Sequence, residues 1–451
     1  MIKMVRFHLI CFVVLLVGLV TVGPVQANHG GDHTVNVQRV VSPGGIEAWL
    51  VSDHINPIIS LRFAFRGGAS LDPVGKEGLA NLASSLLDEG AGDLDSQTFQ
   101  RRLEDLSVTI RFEAGRDTFQ GRLKTLSENK DQAFAMLAVA LNKPRFDIEP
   151  VNRIRSQVLA GLRRDQEDPD TIAGRTLSKE LFPDHPYGRP VDGTSQSVEA
   201  ITIEDLKSFA SERLARDNLF IGVVGDIEPE ELGRRLDQVF LPLPEKSSGA
   251  TTPDIEPQDK GRTVVVDMAV PQSAIVFSQK GLKRDHPDFY TAFVLNHILG
   301  GGGFTSRLYD EIREKRGLAY SIGTYLYPLR HAALIQGYGG TANERVAETL
   351  KVLKDQWRRM AEKGVSAEDL TDAKTYLIGS YPLRFTSSGR IASILVSMQL
   401  ENLGIDYLDR RNSLVEAVTR EDVNRLAKSL LDPDNLVVVV VGAPEGVTST
   451  P

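Results

Sequence analysis

The sequence holds a single cysteine, Cys11, and that residue lies inside an apolar N-terminal segment. The remainder of the chain therefore has no disulfide and no thiol nucleophile. Positive charge is not in excess either. The formal net charge of −8 argues against nucleic acid as a partner, because phosphate backbones are bound by basic surfaces. No apolar run reaches the ~20 residues that span a bilayer. The longest, "LICFVVLLVGLVTVG" from Leu9 to Gly23, follows Lys3 and Arg6 and precedes Pro24 and the small-residue site Val25-Gln26-Ala27. Residues 1–27 thus read as a secretory signal peptide, which gives a periplasmic or secreted bacterial protein with no stable membrane insertion after cleavage; an uncleaved anchor is the alternative. No Gly-x-Ser-x-Gly elbow is present, so a serine nucleophile of that kind is not expected.

What is present is an internal repeat. "VEAITIEDLKSFASERLARDNLFIGVVGDIEP" begins at Val198 and "VEAVTREDVNRLAKSLLDPDNLVVVVVGAPEG" at Val415, an ungapped offset of 217 (415 − 198). Each copy predicts a helix capped by Thr202 or Thr419, then a turn, then a β-branched strand ending in Gly225 or Gly442. The alternation of Ile59, Leu61, Phe63 and Phe65 predicts a strand with one buried face, and "QSAIVFSQKG" opens the second half in the same way. The stretch 241–261, "LPLPEKSSGATTPDIEPQDKG", lacks periodicity and reads as an extended linker. The expected organisation is α+β: two similar domains, 28–240 and 262–446, enclosing a cavity.

"EGLANLASSLL", from Glu77 to Leu87, predicts an amphipathic helix facing a cavity between the domains. Leu79, Leu82, Ala83, Leu86 and Leu87 lie on one side of it, and Asn81, Ser84, Ser85 and Asp88 on the other. Gly90 is the expected stop. "HGGDH", from His29 to His33, pairs two histidines four apart, but beside glycines near the start of the mature chain it reads as a tail.

The order "FRGGAS", then "DPVGKEGLANLASSLLDEGAGDLDSQTFQRRLEDL", with "FPDHPYGRP" further on, resembles the insulinase/pitrilysin family in its mitochondrial-processing-peptidase-like branch. Active members of that family carry His-x-x-Glu-His at this helix. Its two histidines bind zinc and its glutamate activates water. By that resemblance Asn81, Ser84 and Ser85 occupy the motif positions, and Gly161 in "RSQVLAGLRRDQEDP" occupies the third-ligand position. Asparagine and serine are poor zinc ligands and glycine offers none, so this chain is expected to bind no metal cofactor.

"LGGGGFTSRLYDEIREKRGLAYSIGTYLYP" runs from Leu299 to Pro328. It predicts a flexible loop at Gly300, Gly301, Gly302 and Gly303, a helix with Leu308 and Ile312 inward, and a stop at Gly317 before a strand. Arg313 and Tyr320 flank that stop. By composition alone they read as a solvated charge and a half-buried aromatic. The resemblance instead implies a substrate-clamping pair, with the glycines as a peptide-contacting loop. It further implies a heterodimer, in which a zinc-bearing homologous subunit cleaves peptides and this chain supplies Arg313 and Tyr320 in trans. The alternative is a catalytically inactive structural or peptide-binding homologue.

Overall fold

The computed structural model describes residues 35–248 and 251–450. The signal-peptide segment and "HGGDH" lie outside the described residues. Two mixed sheets carry the architecture. The first contains β1 (Gln38–Val41), β2 (Glu47–Ser52), β3 (Ile58–Arg66), β4 (Thr109–Ala114), β5 (Thr118–Leu126) and β6 (Leu219–Gly225), in the order β1-β2-β6-β3-β5-β4. The second contains β7 (Thr263–Asp267), β8 (Gln272–Lys280), β9 (Ala319–Pro328), β10 (Ala333–Ala342) and β11 (Val437–Gly442), in the order β7-β11-β8-β10-β9.

The orders match strand for strand once β1 is set aside. In each sheet one pair is parallel, β2 with β6 and β7 with β11. The last strand of each half then pairs antiparallel with its neighbour, β6 with β3 and β11 with β8. The repeat detected in sequence is thus a repeat of topology. Its capping signals hold at atomic level. The Asp205 amide donates to Thr202 Oγ1 at 3.2 Å and the Thr202 amide to Asp205 Oδ2 at 2.7 Å. Asp422 and Thr419 repeat the exchange at 3.1 and 3.3 Å. Helices Ile203–Arg213 and Arg420–Leu430 follow, each started by two reciprocally satisfied amides.

One face of each sheet is covered by helices of its own half. The other is covered by a helix from the opposite half. Helix Pro169–Leu181 packs on β11 and β8, where Ala173, Leu177 and Leu181 meet Val437, Val439 and Val441. Helix Ser388–Leu400 packs on β6 and β3, where Ala392, Leu395 and Met398 cover Trp49 and Val224. The approach is close, since a Cβ at Gly222 would stand 2.6 Å from the Ala392 carbonyl oxygen. Burial of β11 on both faces explains its unbroken valine run, because only one-sided strands alternate. From Asn36 onward the chain is one compact unit.

The described part of the 241–261 segment forms no helix beyond Phe240 and no strand before Thr263. It is nevertheless tied down. The Ile255 amide donates to the His331 carbonyl at 2.8 Å and the Gln258 amide to that of Leu181 at 2.9 Å. No described helix is long and apolar enough to cross a membrane.

Candidate functional site

The helix expected over 78–87 spans Leu79–Ser84 and passes into turns before Gly90. Its start is fixed by Asp72, whose carboxylate accepts from the Gly78 amide at 3.1 Å and the Ala80 amide at 3.2 Å. The same carboxylate receives Arg213 Nη1 at 2.9 Å. Burial pushes the Asp72 carboxyl up in pKa, and Arg213 and the two amides oppose that shift. The helix end is shaped by its serines. Ser84 Oγ donates to the Asn81 carbonyl at 2.7 Å and Ser85 Oγ to the same oxygen at 3.3 Å. Such back-bonding competes with the regular helix ladder, which accounts for the early stop.

The polar side of this helix is less open than the sequence implies. Asn81 and Ser85 are half-buried, but Ser84 and Asp88 are buried. Gly161 lies on helix Ile148–Asp165, which packs against Leu79–Ser84. A Cβ at Gly161 would have only Arg164 Nη2 within 4 Å, at 3.8 Å. The four positions lie on two helices that touch, and their side chains do not fit zinc. Both hydroxyls are committed to a backbone carbonyl, Asn81 is a weak ligand, and Gly161 offers no side chain. Among the described residues no cluster of three or more His, Cys, Asp or Glu could hold a metal ion.

The glycine-rich segment is not a loop throughout. His297–Gly301 is a wide helical turn and Gly303–Thr305 a tight one. Gly300 and Gly301 are required by packing, since a Cβ would stand 2.5 Å from Thr324 Oγ1 or from Asn296 Nδ2 respectively. Gly302 is closed off by the His297 carbonyl at 2.8 Å, whereas Gly303, at φ +60°, faces open space. A second wide turn, Asp310–Glu314, carries Arg313. Wide turns of this kind are often found at functional sites.

Gly317, at φ +60°, closes the second wide turn by donating from its amide to the Arg313 carbonyl at 2.8 Å. The chain reverses there and brings Arg313 and Tyr320 together. The Arg313 guanidinium lies 4.9 Å from the Tyr320 ring centroid, 4.7 Å from that of Tyr309 and 5.8 Å from that of Phe304. Tyr320 is 79% exposed, so its hydroxyl is free to meet another molecule. The pair borders an open pocket of about 410 Å³ between β9, β10 and the Gly317 turn.

A different cavity, of about 450 Å³, lies between the halves, with Arg66, Asp117, Arg284, Arg330, His331 and Glu401 among its lining. None of Asn81, Ser84, Ser85, Arg313 or Tyr320 lines it. At its edge Tyr187 joins the halves. The Tyr187 hydroxyl donates to Asp117, with oxygens at 2.7 and 2.8 Å, and accepts from the His331 amide at 3.0 Å. Sequence reasoning missed this junction. Its only trace was "FPDHPYGRP", which contains Tyr187.

The family described as peptidase M16 inactive domain matches residues 200–377. A crystal structure of a peptidase M16 inactive domain from Pseudomonas fluorescens superposes with a TM-score of 0.85 at 30% identity, covering 92% of this chain and 99% of that one. The chain belongs to the peptidase M16 family. Two curated relatives place this M16 chain between differently named proteins. The non-peptidase homolog YmxG of Helicobacter pylori is 28% identical over 86% of this chain and 90% of its own length. An uncharacterized zinc protease of Streptomyces coelicolor is 25% identical over 89% of each. This chain is an M16 homologue of the inactive type.

Proposed function

We propose that this M16 homologue is a non-peptidase, peptide-binding protein. The carrying observation is the contrast between its two halves. At the zinc positions Ser84 and Ser85 bond back to the Asn81 carbonyl and Gly161 has no side chain, while the Arg313 guanidinium stacks on an exposed Tyr320. A tyrosine hydroxyl can donate to a carbonyl or an oxyanion, and an arginine can fix the register of an extended peptide. Neither needs a metal in the same chain. The N-terminal basic-apolar segment ending at Ala27 supports a periplasmic or secreted location.

That exposed pair also favours a second, finer reading: the chain joins a zinc-bearing M16 homologue and contributes Arg313 and Tyr320 to its substrate. Both readings are tested together. The chain alone is dialysed against a weak chelator and assayed for zinc and peptide cleavage, then mixed with a His-x-x-Glu-His homologue from the same source. Neither stoichiometric zinc nor cleavage is expected for the chain alone. If the partner reading holds, Tyr320→Phe lowers turnover of the mixture by about 10²–10³-fold, the usual cost of one oxyanion donor. Unchanged turnover in Tyr320→Phe and Arg313→Ala mixtures returns the chain to peptide binding alone. Tight zinc in the isolated chain removes both readings.

A further inference from the structure

Three arginines stand side by side across the first sheet. The register pairs Arg62 of β3 with Arg122 of β5, and Arg122 with Arg111 of β4. Directly opposed residues on neighbouring strands bring their Cβ atoms within about 4.5–5.5 Å, and like charges so placed are destabilising. The row continues on the other side into Gly222 and Trp49, where helix Ser388–Leu400 covers the sheet. The cover stops short of β5 and β4, so Arg122 and Arg111 are exposed and Arg62 is half-buried at the margin.

The chain does little to neutralise this row. Arg111 Nη1 donates to Asp88 at 3.0 Å and to the Ile110 carbonyl at 2.9 Å. Glu113 lies two residues along β4 but its own strand partner is Gln120. Arg62 and Arg122 have no hydrogen-bond or ion-pair partner among the described residues. Burial, with Arg122 adding to it, holds the Arg62 guanidinium below its usual pKa range. Arg62, Arg111, Arg122, Glu113 and Gln120 line a shallow pocket of about 240 Å³. A protein of net charge −8 has thus gathered two unpaired guanidinium groups, Arg62 and Arg122, beside a third held by Asp88 on one open sheet face, a like-charge arrangement that costs folding stability.

We infer that the Arg62–Arg122–Arg111 row is a docking surface for the carboxylates of an acidic polypeptide segment, which rests on the peptide-binding reading and gives it a substrate class. Charge complementarity selects the occupant. Planar guanidinium forks spaced along a row match successive carboxylate side chains of an extended chain, and each can be bidentate.

The test uses the full mature chain and three labelled peptides of equal length, carrying a central run of glutamate, glutamine or lysine. Fluorescence anisotropy is read at two salt concentrations. The glutamate peptide is expected to bind at least about tenfold more tightly than the glutamine peptide at low salt, with the difference shrinking at high salt. In the double variant Arg62→Gln, Arg122→Gln the preference disappears while the glutamine peptide binds as before. The variant's thermal midpoint is measured alongside and is expected to be no lower than that of the parent, since a like-charge contact is removed. Equal binding of glutamate and glutamine peptides overturns this inference and leaves the peptide-binding reading standing. No binding of any peptide overturns both. A preference that survives in the double variant overturns the assignment to this row. An oligonucleotide of the same charge that binds as tightly as the glutamate peptide overturns the choice of carboxylate.

Discussion

Tyr187→Phe removes one oxygen at the place where the two halves are pinned. The Tyr187 side chain is fully buried, and phenylalanine keeps the ring, so packing is retained. Two groups lose a partner. The Asp117 carboxylate gives up a donor at 2.7–2.8 Å, and hydrogen bonds to charged groups contribute about 1.5–3 kcal/mol. The His331 amide, which donates to the hydroxyl at 3.0 Å, is left without a partner at a further cost of about 1–3 kcal/mol. Asp117 keeps the Arg330 amide at 3.2 Å, which offsets part of the loss. The expected destabilisation is about 2–4 kcal/mol. Burial, with Asp117 adding to it, pushes the tyrosine pKa far up, so the hydroxyl stays protonated and able to donate at neutral and moderately alkaline pH. Urea unfolding followed by tryptophan fluorescence gives the magnitude, because Trp49 and Trp357, the chain's two tryptophans, sit one in each half. Hydrogen exchange gives the place, and the His331 amide should lose protection in the variant. Unfolding within about 0.5 kcal/mol of the parent, the range usual for inconsequential surface changes, with unchanged exchange at His331, would refute the view that this hydroxyl joins the halves.

Gly300→Ala should lose about 1–3 kcal/mol of stability in thermal unfolding, the usual cost of overpacking, because the new methyl meets Thr324 Oγ1 at 2.5 Å. Loss of peptide binding with unchanged stability would instead mark Gly300 as a ligand-contact residue. His297 is buried, and burial alone lowers its pKa from the usual 6.5. A histidine depressed in the folded state contributes stability that is present above 6.5 and is lost as pH falls through the folded value. Proton NMR should show His297 titrating below 6.5, and His297→Gln should flatten the stability profile in that acidic window.

Legibility in the sequence followed the range of the interaction. The capping boxes at Thr202 and Thr419 span three residues, and both were readable, along with the strands that follow them. The apposition of Arg313 and Tyr320 was readable only as a spacing, because it depends on the positive φ at Gly317. The end of the helix at Ser84 was misplaced because two serine hydroxyls bond a carbonyl that periodicity does not weigh. The glycine segment read as a loop because its glycines are imposed by Thr324, Asn296 and His297, one on a distant strand, one ending the preceding helix and one within the turn. The arginine row needs the register of three strands, so Arg62, Arg111 and Arg122 look like ordinary outward charges in one dimension. Helices 169–181 and 388–400 each show an apolar face, but nothing in either pattern says which sheet receives it.

The crossing of those two helices sets an order of assembly. β6 ends at Gly225, and the helix that covers it begins at Ser388, 163 residues later (388 − 225). However the chain is delivered, the outer face of the first sheet, with Trp49, Gly222 and Val224, stays uncovered until those intervening residues and the helix behind them have followed its last strand. A first half that collapses before then presents an apolar surface for a chaperone to hold until the second half delivers its lid. For the same reason, cutting the gene within the 241–261 segment yields two fragments that each bear the other's missing wall, and that fold as a mixture or not at all.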